Sequence, residues 1–186
     1  MMSGKIEKLI EKINSRELDG MLVFKRENLD IQNLFYLSGF TGQFNAYLLL
    51  TPSDRIILTT ERYVNEAIEE CPGFEVLGYE QPQTYKYTSK LKDVIRKLGL
   101  KKLGFEAKGL TVNQLNELKE DITEVDFVST TDIVTNLRSK KNSDEIRFMK
   151  KAASITDSAF EYIQDYIEPG ITEKELYNYF DKHLIN

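Results

Sequence analysis

The chain has 186 residues, of which 41% are hydrophobic and 30% charged, and its formal net charge is −5. This balance is typical of a globular protein and excludes fibrous and intrinsically disordered classes, while the acidic charge argues against a nucleic-acid-binding surface. There is no apolar signal-peptide region and no run of ~18 apolar residues, and the single cysteine, Cys71, cannot form an internal disulfide. We therefore expect a cytoplasmic protein that binds neither nucleic acid nor membrane.

Helices and strands alternate along the first 135 residues or so. Apolar residues at helical spacing, or in short runs bounded by turn residues, indicate the elements. In chain order these are a helix over 4–17, a strand over 20–24, a helix over 27–36, strands over 46–50 and 55–60, a helix over 61–70, a strand over 74–80, a polar loop over 81–89, a helix over 91–98, a strand over 101–107, a helix over 111–120 and a strand over 124–130. This alternation predicts an α/β fold with a mixed β-sheet flanked by helices, whose strand order the sequence does not reveal.

Turn and cap residues refine this prediction at three places. The segment Thr51–Asp54 has proline at the second turn position, which presets φ, so the strands on either side of it should form an antiparallel hairpin. Thr60 is expected to cap the helix that follows it, and Thr111 the helix over 111–120, because threonine at this position can accept a hydrogen bond from the first helical turn.

The pattern changes after Arg138. Asn142 with Glu145, and Thr172 with Glu175, have the spacing of a capping box, which opens a helix in each case. Apolar residues in the first of these helices keep a period of 3.6 for about six turns, and no strand pattern follows. We therefore expect an N-terminal domain over 1–137 and, over 138–186, a linker with two helices.

Catalytic and metal-binding motifs are absent from the sequence. A hydrolytic triad or a histidine-rich metal site needs more than the one histidine, His183, which is better explained as a helix-end residue. Cys71 precedes a proline and has no nearby histidine or CxxC partner, so we expect a semi-buried thiol rather than a nucleophile. The glycines form no phosphate-binding loop, and the acidic residues lie on predicted caps and solvent faces.

The loop between the second predicted helix and the hairpin is the most unusual segment. Gly39 and Gly42 alternate there with the aromatic residues Phe40 and Phe44. Aromatic side chains on a loop are costly to leave in water, so they should cover the domain's own core, a partner subunit or a ligand.

The order of several segments resembles a known family, the Xaa-Pro peptidases, which comprise aminopeptidase P, prolidase and their creatinase relatives. The similarity is to the amino-terminal half of these enzymes and spans residues 18–184. The segments that carry it are NLFYLSGFTGQFNAYLLLTPSDRIILTTERYVNEA, KKLGFEAKGLT, LRSKKNSDEIRFMKKAASITDSAF and IEPGITEKEL. The resemblance implies a creatinase-like N-terminal domain over 1–137, followed over 138–186 by the first two helices of an incomplete pita-bread catalytic domain.

The resemblance also implies where the chemistry would lie. The family's dinuclear metal site uses two Asp, one His and two Glu, all of which follow the second catalytic-domain helix. None of these ligands can be assigned to a residue of this sequence, so no catalytic and no metal-binding residue is expected in the chain. Two divalent ions, manganese or cobalt, are expected for the full-length protein. Thr60 departs from the family pattern, since many relatives have aspartate there, whereas Arg62 and Tyr63 are retained.

In this family the N-terminal domain contributes to dimer contacts and walls the substrate cleft. The candidate residues for substrate gating or subunit contact are Phe40, Thr41, Gln43, Phe44, Asn45, Arg62 and Tyr63. The implied function is that of the N-terminal part of a homodimeric, metal-dependent Xaa-Pro dipeptidase or aminopeptidase that acts on short peptides, with no catalysis by the 186-residue chain alone. Two alternatives stay open: a stand-alone protein-binding module of the same fold, and a creatinase-like hydrolase that works without metals.

Overall fold

The computed structural model describes residues 3–25, 32–42, 45–80 and 87–185. It consists of two units, residues 1–139 and 140–186. The first unit contains the whole β-sheet and six helices, and the second contains two helices, among the residues described.

The elements of the first unit alternate as the sequence pattern predicts. The strands are β1 (Gly20–Lys25), β2 (Ala46–Leu50), β3 (Arg55–Thr60), β4 (Glu75–Tyr79), β5 (Lys102–Phe105) and β6 (Asp126–Ser129). The α-helices are α1 (Ser3–Asn14), α2 (Gln32–Ser38), α3 (Val64–Glu70), α4 (Tyr87–Leu98), α5 (Val112–Asp121) and α6 (Ile133–Ser139). Short 3₁₀ turns over Glu61–Tyr63 and Ala107–Gly109 precede α3 and α5.

The six strands form one mixed sheet in the order β4-β3-β2-β1-β5-β6. β2 is antiparallel to both of its neighbours, and the other pairings are parallel. β1 is paired on both edges, so that Leu22 lies opposite Leu49 of β2 and Phe105 of β5. The predicted fold class, a mixed β-sheet flanked by helices, is therefore confirmed.

Helices cover both faces of the sheet. Alternate residues of β1 point to opposite faces: Leu22 packs in the core on the side of α4 and α5, and Met21 in the core on the side of α1, α2, α3 and α6. All residues of β1 and β2 are buried for this reason, and both strands read as nearly continuous apolar runs.

The predicted hairpin between β2 and β3 forms, and its turn is held by side chains. The Oγ1 of Thr51 accepts hydrogen bonds from the backbone N–H of Ser53 at 3.2 Å and of Asp54 at 2.8 Å, and donates to the Asp54 carboxylate at 2.7 Å. Hydrogen bonds from Thr51 and Ser53 lower the pKa of Asp54. This tight turn reverses the chain, so β2 and β3 are antiparallel neighbours.

The start of β1 is locked to β5 by Asp19 and Gly20. The Asp19 carboxylate accepts hydrogen bonds from the backbone N–H groups of Lys101 at 2.7 Å and Lys102 at 2.8 Å. A Cβ at position 20 would lie 2.7 Å from the carbonyl oxygen of Leu50, so glycine is required for the close approach of the neighbouring strand.

The second unit is a pair of helices, α7 (Ser143–Gln164) and α8 (Glu173–Ile185). The predicted capping boxes open both: Asn142 and Glu145 exchange side-chain-to-backbone hydrogen bonds at 2.9 Å, and Thr172 pairs with Glu175 in the same way. Tyr166, in the turn after α7, stacks on Tyr179 of α8 at 4.1 Å between ring centroids.

Three details of the secondary structure differ from the prediction. Residues 87–89, predicted as loop, form the first turn of α4. The hydroxyl of Thr88 donates to the Asp121 carboxylate at 2.6 Å, and this contact with α5 stabilises the turn. The short helix α6 was not predicted from the sequence. Thr60 does not cap α3: its side chain makes no cap bond, and a 3₁₀ turn separates it from that helix. The predicted helix start over 27–31 lies outside the described residues, as does the loop over 81–86.

No helix in the described ranges combines the length and the apolar character that crossing a bilayer requires.

Candidate functional site

The strand directions place the candidate residues at one edge of the sheet. β1, β3, β4, β5 and β6 all run the same way, so their last residues lie at the same edge, together with the first residue of β2. We call this the carboxyl edge; it is formed by Lys25, Ala46, Thr60, Tyr79, Phe105 and Ser129. Open α/β sheets place ligand sites outside this edge, because the connections that follow the strands converge there.

The loop after α2 is bent at the helix end and anchored by a buried ring. Gly39 has a φ of 83°, a conformation that favours glycine and ends the helix. The Oγ of Ser38 donates to the Leu34 carbonyl at 2.8 Å and accepts from the N–H of Phe40 at 3.2 Å. Phe40 is fully buried in the core beside α1, α2 and α3. Its ring therefore packs in the domain's own core, one of the three covers that the sequence left open, and its role in substrate gating or subunit contact stays a prediction.

Two long-range polar contacts hold the next two residues of the loop, Thr41 and Gly42. The N–H of Thr41 donates to the Glu70 carboxylate at 2.7 Å, and the Thr41 hydroxyl donates to the other carboxylate oxygen. The ammonium group of Lys25, at the end of β1, donates to the Gly42 carbonyl, although the Lys25 side chain is only 3% exposed. Charge-assisted hydrogen bonds of this kind are stronger than neutral ones, so the loop is held from both α3 and β1.

The remaining candidates lie close to the same edge. Asn45 is half-buried before β2, and its carbonyl accepts from the hydroxyl of Thr59 at 3.4 Å. Arg62 is exposed and Tyr63 half-buried in the 3₁₀ turn after β3. Gln43 and Phe44 lie outside the described residues.

Thr60 ends β3 with a polar atom that has no partner. Its Oγ1 is buried and makes no hydrogen bond, the one such side-chain atom among the residues that the structure describes. An unpaired buried hydroxyl costs about 1–3 kcal/mol of folding free energy, so Thr60 at this position lowers the stability of the fold. The resemblance implies aspartate at this position in many relatives. Threonine does not supply the negative charge of a carboxylate.

Cys71 and His183, the single cysteine and the single histidine, each pack against neighbours within their own unit. Burial raises the pKa of the Cys71 thiol to about 11, which disfavours the nucleophilic thiolate. His183 stacks on Tyr162 at 4.4 Å between centroids, in the second unit. Within the described ranges, no three side chains of His, Cys, Asp or Glu lie close enough together to hold a metal ion. These residues therefore do not fit the dinuclear metal centre that the resemblance implies for the complete enzyme.

Comparison with known proteins establishes the family. Residues 5–140 match the family model described as the creatinase/prolidase N-terminal domain. The chain belongs to this family. The predicted family is thus confirmed, and the chain matches the amino-terminal half of Xaa-Pro peptidases.

The whole chain, of which this creatinase/prolidase N-terminal domain is the larger part, has relatives that are peptidases of about twice its length. It is 31% identical over 183 residues to "Uncharacterized peptidase YqhT" of Bacillus subtilis, an alignment that covers 97% of this chain and 48% of that protein. The structure of the Xaa-Pro dipeptidase from Bacillus anthracis is similar with a TM-score of 0.84 and 29% identity, covering 100% of this chain and 49% of that one. For the X-Pro aminopeptidase from Thermotoga maritima the TM-score is 0.83 at 26% identity, covering 97% and 48%. The chain spans about half the length of the curated relatives it matches.

The loop is predictable from the sequence, whereas the side chains that support it are not. Lys25 and Glu70 are distant from the loop in sequence and carry no motif, so their contacts with Gly42 and Thr41 could not be read from spacing. The signal for Lys25 was a charged residue closing an otherwise apolar strand, which indicates a buried partner at the strand end.

The substitution Gly42→Ala tests the packing of the loop on the core. A Cβ at position 42 would clash with the Phe40 ring, which is fully buried. We expect the free energy of unfolding, measured in urea, to fall by about 1–3 kcal/mol. In the control Gly4→Ala the new Cβ meets nothing within 4 Å, so this change in α1 should leave stability unchanged or raise it. Equal effects of the two substitutions would contradict this packing.

The buried thiol predicts a specific loss of stability at alkaline pH. The pKa of Cys71 is about 11 in the folded chain against 9.0 for the free group, so the folded state binds this proton more tightly. Its contribution is complete below pH 9 and is lost as the pH rises through 11. Between pH 8 and 11 the unfolding free energy of the natural chain should fall by about 1–2 kcal/mol more than that of Cys71→Ala. Parallel pH profiles in urea titrations would refute the burial of the thiol.

Proposed function

We propose that this chain is the non-catalytic N-terminal part of a metal-dependent Xaa-Pro dipeptidase or aminopeptidase, in which it serves subunit contact and substrate gating. The observation that supports this most is the match of the chain along its whole length to half of the Bacillus anthracis Xaa-Pro dipeptidase. In this proposal residues 1–137 are the creatinase-like domain and 138–186 are the linker and first two helices of the peptidase domain.

Catalysis would come from residues other than the described ones. In the full-length protein two manganese or cobalt ions, held by residues other than the described ones, would supply Lewis-acid activation of water and of the scissile carbonyl. Each ion needs several carboxylate or imidazole ligands, whereas the described part of this chain gathers no such group. The contribution of this chain is therefore to shape the site rather than to perform the reaction.

Gating is supported by the hydrogen bonds that hold Thr41 and Gly42 in the loop. Thr41 is exposed, yet its backbone and side chain are both bonded to Glu70, and Gly42 is bonded to Lys25. A loop ordered before its ligand arrives loses little conformational entropy on binding and can exclude longer substrates by its shape. Thr41, Asn45, Arg62 and Tyr63, with Gln43 and Phe44, would form the wall that restricts a cleft to short Xaa-Pro peptides.

Dimerisation is supported by apolar side chains of the second unit. Phe148 and Met149 on α7 are 61% and 57% exposed, and Ile185 at the end of α8 is 77% exposed. Large exposed apolar side chains favour association, so we propose that a second protomer covers part of them.

The first test is activity and assembly of the purified 186-residue chain. With Mn²⁺ or Co²⁺ present, we expect no turnover of an Xaa-Pro dipeptide above the metal-only background, and light scattering should report twice the chain mass. Metal-dependent turnover by this chain would contradict the proposed division of labour. If light scattering reported a monomer at all concentrations, it would contradict the proposed dimerisation of this chain.

The second test is substrate-length selectivity in the longer gene product that contains this chain. Arg62→Ala should change the ratio of kcat/KM for a longer Xaa-Pro peptide to that for a dipeptide by about tenfold, which corresponds to about 1.4 kcal/mol. The matched control is Arg55→Ala, because Arg55 begins β3 at the opposite edge of the sheet. An unchanged ratio in Arg62→Ala, or an equal change in both variants, would contradict gating by this turn. If the longer product hydrolyses no Xaa-Pro peptide, a binding module becomes the better account.

A further inference from the structure

A second polar group lies at the carboxyl edge, apart from the loop. Glu106 directly follows β5 and is only 6% exposed. The side-chain amide of Asn33, on α2, donates to both carboxylate oxygens of Glu106, at 2.8 and 3.0 Å. The amide oxygen of Asn33 accepts from the guanidinium of Arg138 at 2.6 Å. Asn33 therefore joins a buried carboxylate to a guanidinium group, and we call these three residues the relay.

An amide side chain suits the middle position of the relay. One end must donate to a carboxylate and the other must accept from a guanidinium, and Asn33 does both across one planar group. Aspartate would place a second negative charge against Glu106, and alanine would remove a pair of donors from a buried carboxylate. Loss of hydrogen bonds to a buried charge is costly, so the side chains of the relay depend on one another.

The far end of the relay lies where the chain leaves the sheet unit. Arg138 occupies the last turn of α6, and the first unit ends at Ser139. In the first turn of α6, Ile133 and Val134 are buried in the core. In its last turn, Leu137 is half-buried and Ser139 is exposed. A helix of seven residues is marginal by itself, so its end depends on contacts such as the second hydrogen bond of Arg138, donated to Gln32 of α2.

We propose that the relay of Glu106, Asn33 and Arg138 is a latch that holds the last turn of α6 and thereby fixes the point at which the chain leaves the sheet unit. Asn33 and Arg138 are positioning residues in this proposal. It holds whether or not the chain serves an Xaa-Pro peptidase, because it concerns contacts within the sheet unit. Release of the latch would free residues 136–142 without opening the sheet.

Limited trypsin digestion of the whole chain tests the latch, because Lys140 and Lys141 follow it directly and are exposed. Under native conditions, cleavage follows the population of locally opened states. Asn33→Ala should accelerate cleavage after Lys140 and Lys141 about tenfold. The matched control, Asn65→Ala, removes an exposed asparagine from α3 and should leave the rate unchanged. Equal rates in Asn33→Ala and the control would overturn the proposal.

A double-substitution cycle separates the latch from general destabilisation. Arg138→Ala removes a half-exposed side chain, so this variant keeps the test valid even if Asn33→Ala fails to fold. If the two residues act through one relay, the double variant should be cleaved after Lys140 and Lys141 no faster than the faster single variant. Multiplied rate effects, or an Arg138→Ala rate equal to that of the natural chain, would show that no latch exists.

Discussion

The pairing of β1 on both of its edges is the interaction on which the rest of the structure depends. All six of its residues are buried, with β2 antiparallel on one side and β5 parallel on the other. At the start of β1, Gly20 allows the backbone of β2 to approach closely. At its end, Lys25 donates a hydrogen bond to the Gly42 carbonyl in the loop after α2. A slip of one residue in this register would exchange the two cores and move both polar groups of the carboxyl edge.

The carboxyl edge combines charge burial with fixed geometry. Lys25 and Glu106 are both more than nine-tenths buried, and each binds a connecting segment: Lys25 the loop after α2, and Glu106 the side chain of Asn33. Buried charges are tolerated only when they are hydrogen-bonded, so these contacts order the connections as well as satisfying the charges. A scaffold of this kind suits a domain that shapes a site made elsewhere, which is the role we propose.

Local sequence patterns predicted most helices and strands, but they could not predict contacts between residues that are distant in the sequence. The apolar run of β1 and the caps Thr111, Asn142 and Thr172 are local, because strand burial and capping depend on neighbours a few residues away. Strand order, by contrast, depends on which apolar faces meet in three dimensions. Thr60 had the residue type of a cap, but a 3₁₀ turn intervened.

The candidate site shows the same division between local and distant information. The Gly39–Gly42 pattern predicted a bent aromatic loop, and Gly39 does adopt a positive φ. It did not reveal that Phe40 faces inward, since burial of that ring depends on α1 and α3. Nor could α6 be foreseen, because its short apolar segment after β6 gains its helical form from packing in the core and from the bonds of Arg138 to α2.

Residue-resolved hydrogen exchange of the whole chain tests the central claim, that the carboxyl edge is ordered before any partner or peptide binds. The N–H of Thr41, which is bonded to Glu70, should exchange at least about a hundredfold more slowly than in an unstructured peptide, and substitution of Glu70 by Ala should abolish that protection. Exchange of Thr41 at the unstructured rate in the natural chain would show that the loop is ordered only by its ligand, and the account of a preformed wall would fail.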